Sequence, residues 1–363
     1  MDFLEKLGLL NKNKVIGVNI GSYAVKVAEI DIKGGILTVR RAGYKALPST
    51  AIVEGSIMNS AAVTDTVADL VADLGITTKQ VVTSLGGSSV IVKQITVPSM
   101  TAEELDEQIT WEAEQHITFS VEEVNLAYHI LGENPTEPGK MDIILIAAKR
   151  DLINDYSSVL LEAGLTPVVF DIDSFAILNS FEINYPEYKE DIVALVDIGA
   201  AFTNVNVSKG GIPLVVREFT IGSNAYTEEI QKNLGVSSEE AEALKKGKSE
   251  SDSGEEVIPQ EVVEIMDSVS ESLGGEIVRT LDFYGVSHPD EKVTRIALSG
   301  GGALVPSLDR IINEKTDLPV TIVNSFNNVK IPGDIVVNDP LITKDLSPIL
   351  SVVVGLAIRR RND

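Results

Sequence analysis

The sequence predicts an α/β protein made of two related lobes, and three observations indicate this fold class. The chain has 363 residues, which corresponds to about two domains at roughly 150 residues each. It repeats itself once, because Asn-Ile-Gly at 19–21 recurs as Asp-Ile-Gly at 197–199, and Lys-Gly-Gly-Ile at 33–36 recurs at 209–212. Strand-length apolar runs alternate with helical patterns along the chain, as in α/β layers. Two matched turns at nearly equal spacing favour a duplicated architecture.

Each copy of the repeat predicts a strand, a sharp turn and a β-hairpin. A buried strand ends in the acid- or amide-containing glycine turn, and an alternating second strand follows it. The paired glycines of the Lys-Gly-Gly segments predict tight hairpin turns before a third strand. The predicted strands are 15–20 and 25–30 in the first copy and 192–198 and 203–207 in the second.

Apolar periodicity assigns most of the remaining chain. Thr101 followed by Glu104 predicts a capping box at the start of one helix. The polar segment at 247–256 predicts a solvated connection. The other predicted elements are helices at 61–74, 102–116, 150–163, 262–284, 304–312 and 349–358, a strand–turn–strand unit at 80–97, and strands at 142–148, 168–172 and 294–298. The helix at 349–358 is apolar enough to be core.

Composition excludes several classes of function. Lys and Arg number 30 against 54 Asp and Glu, a formal charge of −24, so a general nucleic-acid binder is not expected. The chain has no cysteine, which excludes disulfides, cysteine–zinc sites, iron–sulfur clusters and thiol catalysis. The three histidines, His116, His129 and His288, are far apart in sequence. No apolar run reaches the roughly 18 residues of a membrane span, and the N-terminus lacks signal-peptide features. A cytoplasmic protein is therefore expected.

Three glycine turns at the ends of predicted strands indicate a nucleotide cleft. Glycine lets the backbone approach a ligand closely, and amide groups there can face phosphate oxygens. The first turn places Lys26 where an ammonium can neutralise phosphate, and the second places Asp197 where a carboxylate can hold hydrated Mg²⁺. The third, at 299–303, lies between a predicted strand and a predicted helix, an arrangement that binds anions.

These turns, in this order, resemble those of the actin/Hsp70/sugar-kinase superfamily. Within it, the whole chain resembles the PilM family of type IV pilus assembly proteins, which is similar to the cell-division protein FtsA. The segments that carry the likeness are VIGVNIGSYAVKVAEI, VVTSLGGSSVIVKQITVPSM, ELDEQITWEAEQHITF, VVFDIDSFAILNSF, LVDIGAAFTNVNV, GVSSEEAEALKKG, ALSGGGALVPSLDRII and LSPILSVVVGLAIRR. The resemblance implies an actin-like, ribonuclease H-like duplicated, two-lobe ATPase fold with an FtsA-type inserted 1C subdomain.

The resemblance also implies how the chain holds ATP or ADP with Mg²⁺. It assigns the first phosphate turn, the second phosphate turn, the adenosine loop and a helix that flanks the base and ribose. The residues are, in that order, Asn19, Gly21, Ser22 and Lys26; Asp197, Gly199, Thr203 and Asn204; Gly300, Gly301 and Gly302; and Glu242 with Lys245. The pair on the helix has i, i+3 spacing, which also fits a surface ion pair. Asp171 or Asp173 either orients a water or caps the helix at Ser174.

One residue departs from the superfamily pattern. Members usually carry aspartate in the first phosphate turn, where this chain has Asn19. An amide keeps the hydrogen-bonding shape and loses the charge that helps to order the metal ion and its water. We therefore expect ATP binding with slow or absent turnover, and Asp197, Asp171 and Asp173 as the only candidates for a catalytic carboxylate.

The resemblance divides the chain into four expected subdomains. Subdomain 1A comprises residues 13–78 with 168–190 and 344–363, and 1C comprises 79–167. Subdomain 2A comprises 191–220 with 291–343, and 2B comprises 221–290.

The implied partner is the short cytoplasmic N-terminal peptide of PilN, an inner-membrane pilus protein, bound at subdomains 1C and 1A. An extended peptide that adds to a strand edge beside apolar pockets is the expected mode. Phe119 is a candidate for this groove, and Trp111, the only tryptophan, is either in the groove or a core aromatic. The pilus motor ATPase and the platform protein are further possible partners, and association with the membrane is expected to be indirect, through PilN.

Two other functions remain open: an FtsA-like filament-forming ATPase, and a kinase of the same superfamily. Direct lipid contact is a further alternative. Eight basic and four acidic residues lie in 1–45, and three arginines occupy 359–361, so the first lobe presents either a basic face or ordinary solvated lysines. Phe3, Leu4, Leu7 and Leu10 predict a short amphipathic helix that packs on protein or anchors weakly to lipid.

Overall fold

The computed structural model describes residues 14–53, 55–134, 136–247, 258–332, 336–337 and 346–359. The predicted helix at residues 3–10, most of the polar segment at 247–256 and the last two arginines lie outside these ranges. Among the described helices, none is long and apolar enough to cross a membrane.

The first lobe contains a six-stranded mixed sheet with the order β10-β6-β1-β2-β3-β16. Its strands are β1 (Ile16–Ile20), β2 (Ala24–Lys33), β3 (Ile36–Ala46), β6 (Gln80–Leu85), β10 (Thr166–Ile172) and β16 (Val336–Val337). Strand β1 is antiparallel to β2 and parallel to β6, and β10 is parallel to β6. All five residues of β1 are buried, so this strand forms the centre of the lobe.

The second lobe contains a five-stranded sheet with the order β13-β12-β11-β14-β15. Its strands are β11 (Val193–Ile198), β12 (Thr203–Lys209), β13 (Ile212–Phe219), β14 (Arg295–Ser299) and β15 (Val320–Ile322). In both sheets, three consecutive strands form an antiparallel meander. The first strand of the meander also pairs with a parallel strand, and a second parallel strand lies beyond that one. This shared order and direction confirm the duplicated two-lobe α/β fold.

The two predicted hairpins have the same geometry in both lobes. Gly34 and Gly35 have φ of 56° and 79°, and Gly210 and Gly211 have φ of 55° and 78°. Two successive residues of positive φ make the type I′ turn that matches the twist of the flanking strands, and glycine adopts it without steric cost. The repeated sequence therefore encodes a repeated turn.

Nine described α-helices cover these sheets: α1 (Ser60–Asp73), α2 (Ala102–Glu114), α3 (Arg150–Glu162), α4 (Asp173–Asn184), α5 (Asn224–Leu234), α6 (Ser238–Lys245), α7 (Gln260–Ser287), α8 (Leu308–Thr316) and α9 (Ser351–Ile358). Every residue of α9 is buried, which confirms the prediction of a core helix at the C-terminal end. Helix α9 lies against β1 and α4 and belongs to the first lobe.

A separate three-stranded antiparallel sheet with the order β7-β9-β8 projects from the first lobe. Its strands are β7 (Val90–Pro98), β8 (Val124–Glu133) and β9 (Lys140–Lys149). Helix α2 covers one face, with Leu105, Ile109 and Ala113 in a small core shared with the sheet. A two-stranded hairpin of β4 (Ile52–Val53) and β5 (Ser56–Ile57) completes the strands.

Strand pairing and core packing cross the expected subdomain bounds, and the division into four subdomains stays a prediction. Strand β6, expected in the inserted subdomain, pairs with β1 and β10, and α3 shares the first-lobe core with α1. Strand β16, expected in the second lobe, pairs with β3. Strand pairing is a long-range property, so sequence boundaries drawn from a resemblance do not reveal it.

Helix α2 begins with the predicted capping box, in which Thr101 and Glu104 satisfy each other's backbone amides. The core interpretation of Trp111 is wrong, because this side chain is 61% exposed. The apolar stripe of α2 runs at i, i+4 and i+8, and Trp111 lies off that stripe.

The described basic residues of the first lobe do not form a free basic face. Most of these basic side chains lie within 4 Å of a carboxylate, so they form ordinary ion pairs. The pairs are Lys14, Lys33 and Arg40 with Asp31, Arg41 with Glu29, Lys45 with Asp69 and Asp73, and Arg359 with Asp171.

Candidate functional site

A cavity of about 780 Å³ lies between the two lobes. Parallel strands end at the same edge of each sheet, so the turns that follow β1, β6, β11 and β14 all open into it. The predicted site residues that line it are Asn19, Gly21, Ser22, Lys26, Asp173, Asp197, Gly199, Asn204, Glu242, Lys245, Gly300 and Gly301. The volume lies in the usual range of small-molecule sites.

The first turn holds Asn19 and Lys26 side by side, because the two residues are direct neighbours across β1 and β2. Lys26 Nζ donates to Asn19 Oδ1 at 3.1 Å. Asn19 Nδ2 donates to Asp173 Oδ1 at 3.2 Å and to Ser84 Oγ at 3.3 Å, and Ser84 Oγ donates to the same carboxylate oxygen at 2.5 Å. The buried amide therefore links the cation to the carboxylate.

The second turn repeats this arrangement with different chemistry. Asp197 and Asn204 occupy the register of Asn19 and Lys26, and Ser299 on β14 donates to Asp197 Oδ1 at 2.9 Å. Burial raises the pKa of Asp197 to about 6, although Lys26 and the Ser299 hydrogen bond favour the charged form. The duplicated site thus has an amide in one lobe and a carboxylate in the other.

Lys26 is the cation at the centre of the cleft. Burial lowers its pKa, while Asp197 and Asp173 on either side raise it. Burial raises the pKa of Asp173, although the hydrogen bond from Ser84 and the charge of Lys26 lower it. The ammonium of Lys26 therefore hydrogen-bonds to Asn19, feels the charge of one carboxylate from each lobe, and lines the cavity where an anionic group can contact it.

Glu218, at the end of β13, also lines the cavity, and the sequence did not indicate it. Its Oε2 accepts a hydrogen bond from the amide of Gly87 at 3.0 Å, so it joins the second lobe to the first. Burial raises the pKa of Glu218 to about 7 against the Gly87 hydrogen bond. Glu218 lies within β13, whose sequence carries no signal for a site, so only the tertiary structure places it here.

The third turn differs from its prediction. A short 3-10 turn, Gly301–Leu304, follows Gly300, and the helix begins at Leu308 rather than at 304. Pro306 lies between the two segments, so no α-helix N-terminus abuts the glycines. Gly300 has φ of 82°, and a Cβ there would lie 2.4 Å from the Ile198 carbonyl oxygen, so only glycine fits this approach.

The predicted pair on helix α6 forms a local ionic cluster in the lining of the cavity. Glu242 Oε2 lies 2.5 Å from Lys245 Nζ, Glu242 Oε1 lies 2.8 Å from Lys246 Nζ, and Thr227 Oγ1 donates to Glu242 Oε2 at 2.8 Å. Burial raises the pKa of Glu242, but the two lysines outweigh it and the net pKa is lowered. Burial lowers the pKa of Lys245 in spite of Glu242. The pair thus forms the ion pair that the spacing allowed, and it also lines the cavity.

Three predicted residues lie outside the cavity lining. The Thr203 hydroxyl is buried and donates to the Ile221 carbonyl at 2.6 Å, and Gly302 packs against Ile198. Asp171 is buried 3.2 Å from Arg359, and burial raises its pKa in spite of that guanidinium. Neither Asp171 nor Asp173 caps α4, which has no side-chain cap. Only Asp173 of the two faces the cleft.

The lining fits a polyanionic ligand such as a nucleotide. Among the described residues, the amide groups of Ser22, Tyr23, Ala200 and Ala201 have no hydrogen-bond acceptor. They belong to the two turns that line the cavity, and Lys26 lines the same cavity. Unpaired amides beside a cation form the usual chemistry of a phosphate site.

Comparisons with known proteins agree with this architecture. The model of a family described as "Type IV pilus assembly protein PilM" matches residues 17–361. A chain of a "PilM-PilN type IV pilus biogenesis complex" is 25% identical with a TM-score of 0.83, covering 95% of this chain and 98% of that one. The ethanolamine utilization protein EutJ of Carboxydothermus hydrogenoformans is 15% identical with a TM-score of 0.56, covering 97% and 96%, and shows likeness of fold alone. The family match spans nearly the whole chain, and the chain therefore belongs to the PilM family of type IV pilus assembly proteins.

Proposed function

We propose that this chain is an ATP-binding adaptor of the type IV pilus assembly complex that binds the N-terminal peptide of PilN. The observation that carries the nucleotide half is the pair of matched turns that line one cavity together with Lys26. Membership of the PilM family and the likeness to a PilM-PilN complex support the pilus half. Coupling to the motor ATPase and to the platform protein belongs to the same proposal.

In this proposal the two turns hold the phosphates and α6 holds the ribose and base. The amides of Ser22 and Ala200 would donate to phosphate oxygens, and Lys26 would neutralise their charge. Glu242 and Lys245 would flank the adenosine beside Gly301, where no atom lies within 4 Å of the position that a Cβ would take. Asp197 would hold Mg²⁺ through water, and the ion would neutralise phosphate charge when it is bound.

The same geometry supports binding without brisk turnover. Asn19 occupies the position in the first lobe that Asp197 occupies in the second. Two carboxylates at these equivalent positions could order a metal ion together, but this site has only one of them. Asp173 would be the carboxylate that orients a water, but Ser84 and Asn19 already donate hydrogen bonds to it, and the charge of Lys26 favours its ionised form. These contacts restrain the base that hydrolysis needs.

Freshly purified protein is expected to release intact ATP when it is denatured. The nucleotide would be measured by ion-exchange chromatography against ATP and ADP standards. ADP as the main nucleotide, together with a rapid ATPase rate that Asp197→Ala abolishes, would contradict the slow-turnover proposal. A protein that neither carries nucleotide nor binds added Mg-ATP would contradict the ATP site itself.

The peptide half of the proposal concerns the junction between the β7-β9-β8 sheet and the first lobe. Phe119 is half-buried with Lys149 Nζ 4.6 Å from its ring centre. Lys149 ends β9 immediately before α3, and its amide donates to the Ser89 carbonyl at 3.1 Å. Trp111 is exposed on α2 above the same sheet. An extended apolar peptide would gain contact with these aromatics.

Trp111→Ala is expected to weaken binding of a synthetic PilN N-terminal peptide by about 10-fold, since exposed aromatics often dominate peptide interfaces. In wild-type protein the peptide should also shift the emission of this single tryptophan to shorter wavelength. Calorimetry gives the affinity, and Ile36→Ala, which removes an exposed apolar side chain (48% exposed) at the start of β3, is the control. Unchanged emission together with unchanged affinity would remove Trp111 from the interface.

A further inference from the structure

One contact between the lobes lies at the solvent side of the cleft. Tyr23 belongs to the first turn and is 46% exposed. Lys246 directly follows α6 in the second lobe, and its side chain is 44% exposed. Both residues line the cavity, so they face the solvent and the proposed ligand site at once.

The contact joins a cation to an aromatic ring. Lys246 Nζ lies 5.4 Å from the ring centre of Tyr23 and donates to its hydroxyl at 3.4 Å. Glu242 Oε1 holds the same ammonium at 2.8 Å, which fixes its direction. Burial lowers the pKa of Lys246, but Glu242 and Tyr23 raise it by more, and the net pKa is raised. Lys246 is therefore a cation at neutral pH.

A second contact between the lobes, from Gly87 to Glu218, lies at the inner end beside the central carboxylates. The two contacts therefore differ in position: Glu218 joins the lobes within the cleft, and Tyr23 with Lys246 joins them at its mouth. A cation–π contact at a half-exposed position contributes only modestly, so thermal motion breaks it often. A contact of this strength slows the passage of a ligand through the mouth of the cleft and still opens by thermal motion.

We propose that Tyr23 and Lys246 form a gate across the mouth of the cleft that limits both the entry and the release of nucleotide. The gate rests on the proposed ATP site and assigns to it a kinetic role beyond affinity. Because the contact joins one residue of each lobe, loss of either side chain opens the gate completely. The two single variants and the double variant must then behave alike.

The test is stopped-flow kinetics with a fluorescent ATP analogue and an unlabelled ATP chase, in the presence of Mg²⁺. Tyr23→Ala, Lys246→Ala and the double variant are each expected to raise both association and dissociation rates by about three- to ten-fold. The equilibrium affinity should change much less than either rate. Lys246→Arg, which keeps the cation, should retain the slow rates.

Lys232→Ala is the matched control, because it removes an exposed lysine of the second lobe that pairs with Glu229 outside the cavity. It should leave the rates unchanged, and all variants should melt at the wild-type temperature without nucleotide. Unchanged rates in both single variants, additive effects in the double variant, or a rise in dissociation alone would each overturn the gate and leave the ATP site standing. A wild-type protein that binds no nucleotide would overturn both.

Discussion

Replacement of Lys26 by methionine is expected to lower the affinity for Mg-ATP by about 100-fold, the scale on which removal of a buried, hydrogen-bonded charge weakens binding. Methionine has nearly the same length and no charge, so the variant removes the cation between the two turns and leaves the cavity shape. Titration with a fluorescent ATP analogue measures the affinity. Lys33→Met is the control, since Lys33 ends β2 with its side chain 78% exposed.

The same variant carries a second readout through pH. Lys26 favours the charged forms of Asp197 and Asp173, so its loss should raise the pKa of both further. A carboxyl whose pKa is raised by folding stabilises the protein at low pH, and that stabilisation is lost as pH rises through the raised value. Lys26→Met without nucleotide should therefore lose more stability than wild type between pH 5 and pH 8. Wild-type affinity and wild-type pH dependence in this variant would contradict the central role of Lys26.

Replacement of Gly355 by alanine is expected to destabilise the fold by about 3 kcal/mol or more, the upper end of overpacking effects. Helix α9 crosses α4 at this residue, and a Cβ on Gly355 would lie only 1.7 Å from the Ala176 carbonyl oxygen. On the other side of α9, Gly17 of β1 approaches the Val353 carbonyl oxygen, where a Cβ would lie at 2.5 Å. The helix is therefore held between two backbones and has no room to move.

Chemical denaturation measures this effect as a change in the free energy of unfolding. Gly275→Ala is the matched control, because Gly275 lies inside α7 and a Cβ there meets no atom within 4 Å. That variant should gain about 0.5–1 kcal/mol from helix propensity. A loss below about 1 kcal/mol for Gly355→Ala would mean that α9 shifts to accommodate the methyl group, in contradiction to the close crossing.

Local sequence signals were sufficient where the physics is local. The two Gly-Gly hairpins form because positive φ at two successive positions is a property of the turn itself. The capping box at Thr101 depends on residues only three apart. The duplicated turns that end β1 and β11 were predicted from one strand and one glycine each, and both line the cleft.

Predictions from local sequence were wrong or incomplete where a residue's environment depends on parts of the chain that are distant in sequence. Trp111 appeared equally suited to a core, and only the packing of α2 on its sheet leaves it exposed. The helix after the three glycines begins four residues late because a 3-10 turn and Pro306 intervene. Asp171 and Asp173 are two residues apart and looked interchangeable, yet one pairs with Arg359 and the other faces Lys26.

Periodicity, glycine conformation and short-range hydrogen bonds were enough to predict the class of fold, the duplication and the turns that line the cleft. Three contacts became evident only from the folded chain: Glu218 reaches Gly87, Tyr23 meets Lys246, and β6 pairs within the first-lobe sheet. Each of these contacts joins residues far apart in the chain. Their formation depends on long-range strand pairing and on how the two lobes pack, which no local pattern encodes.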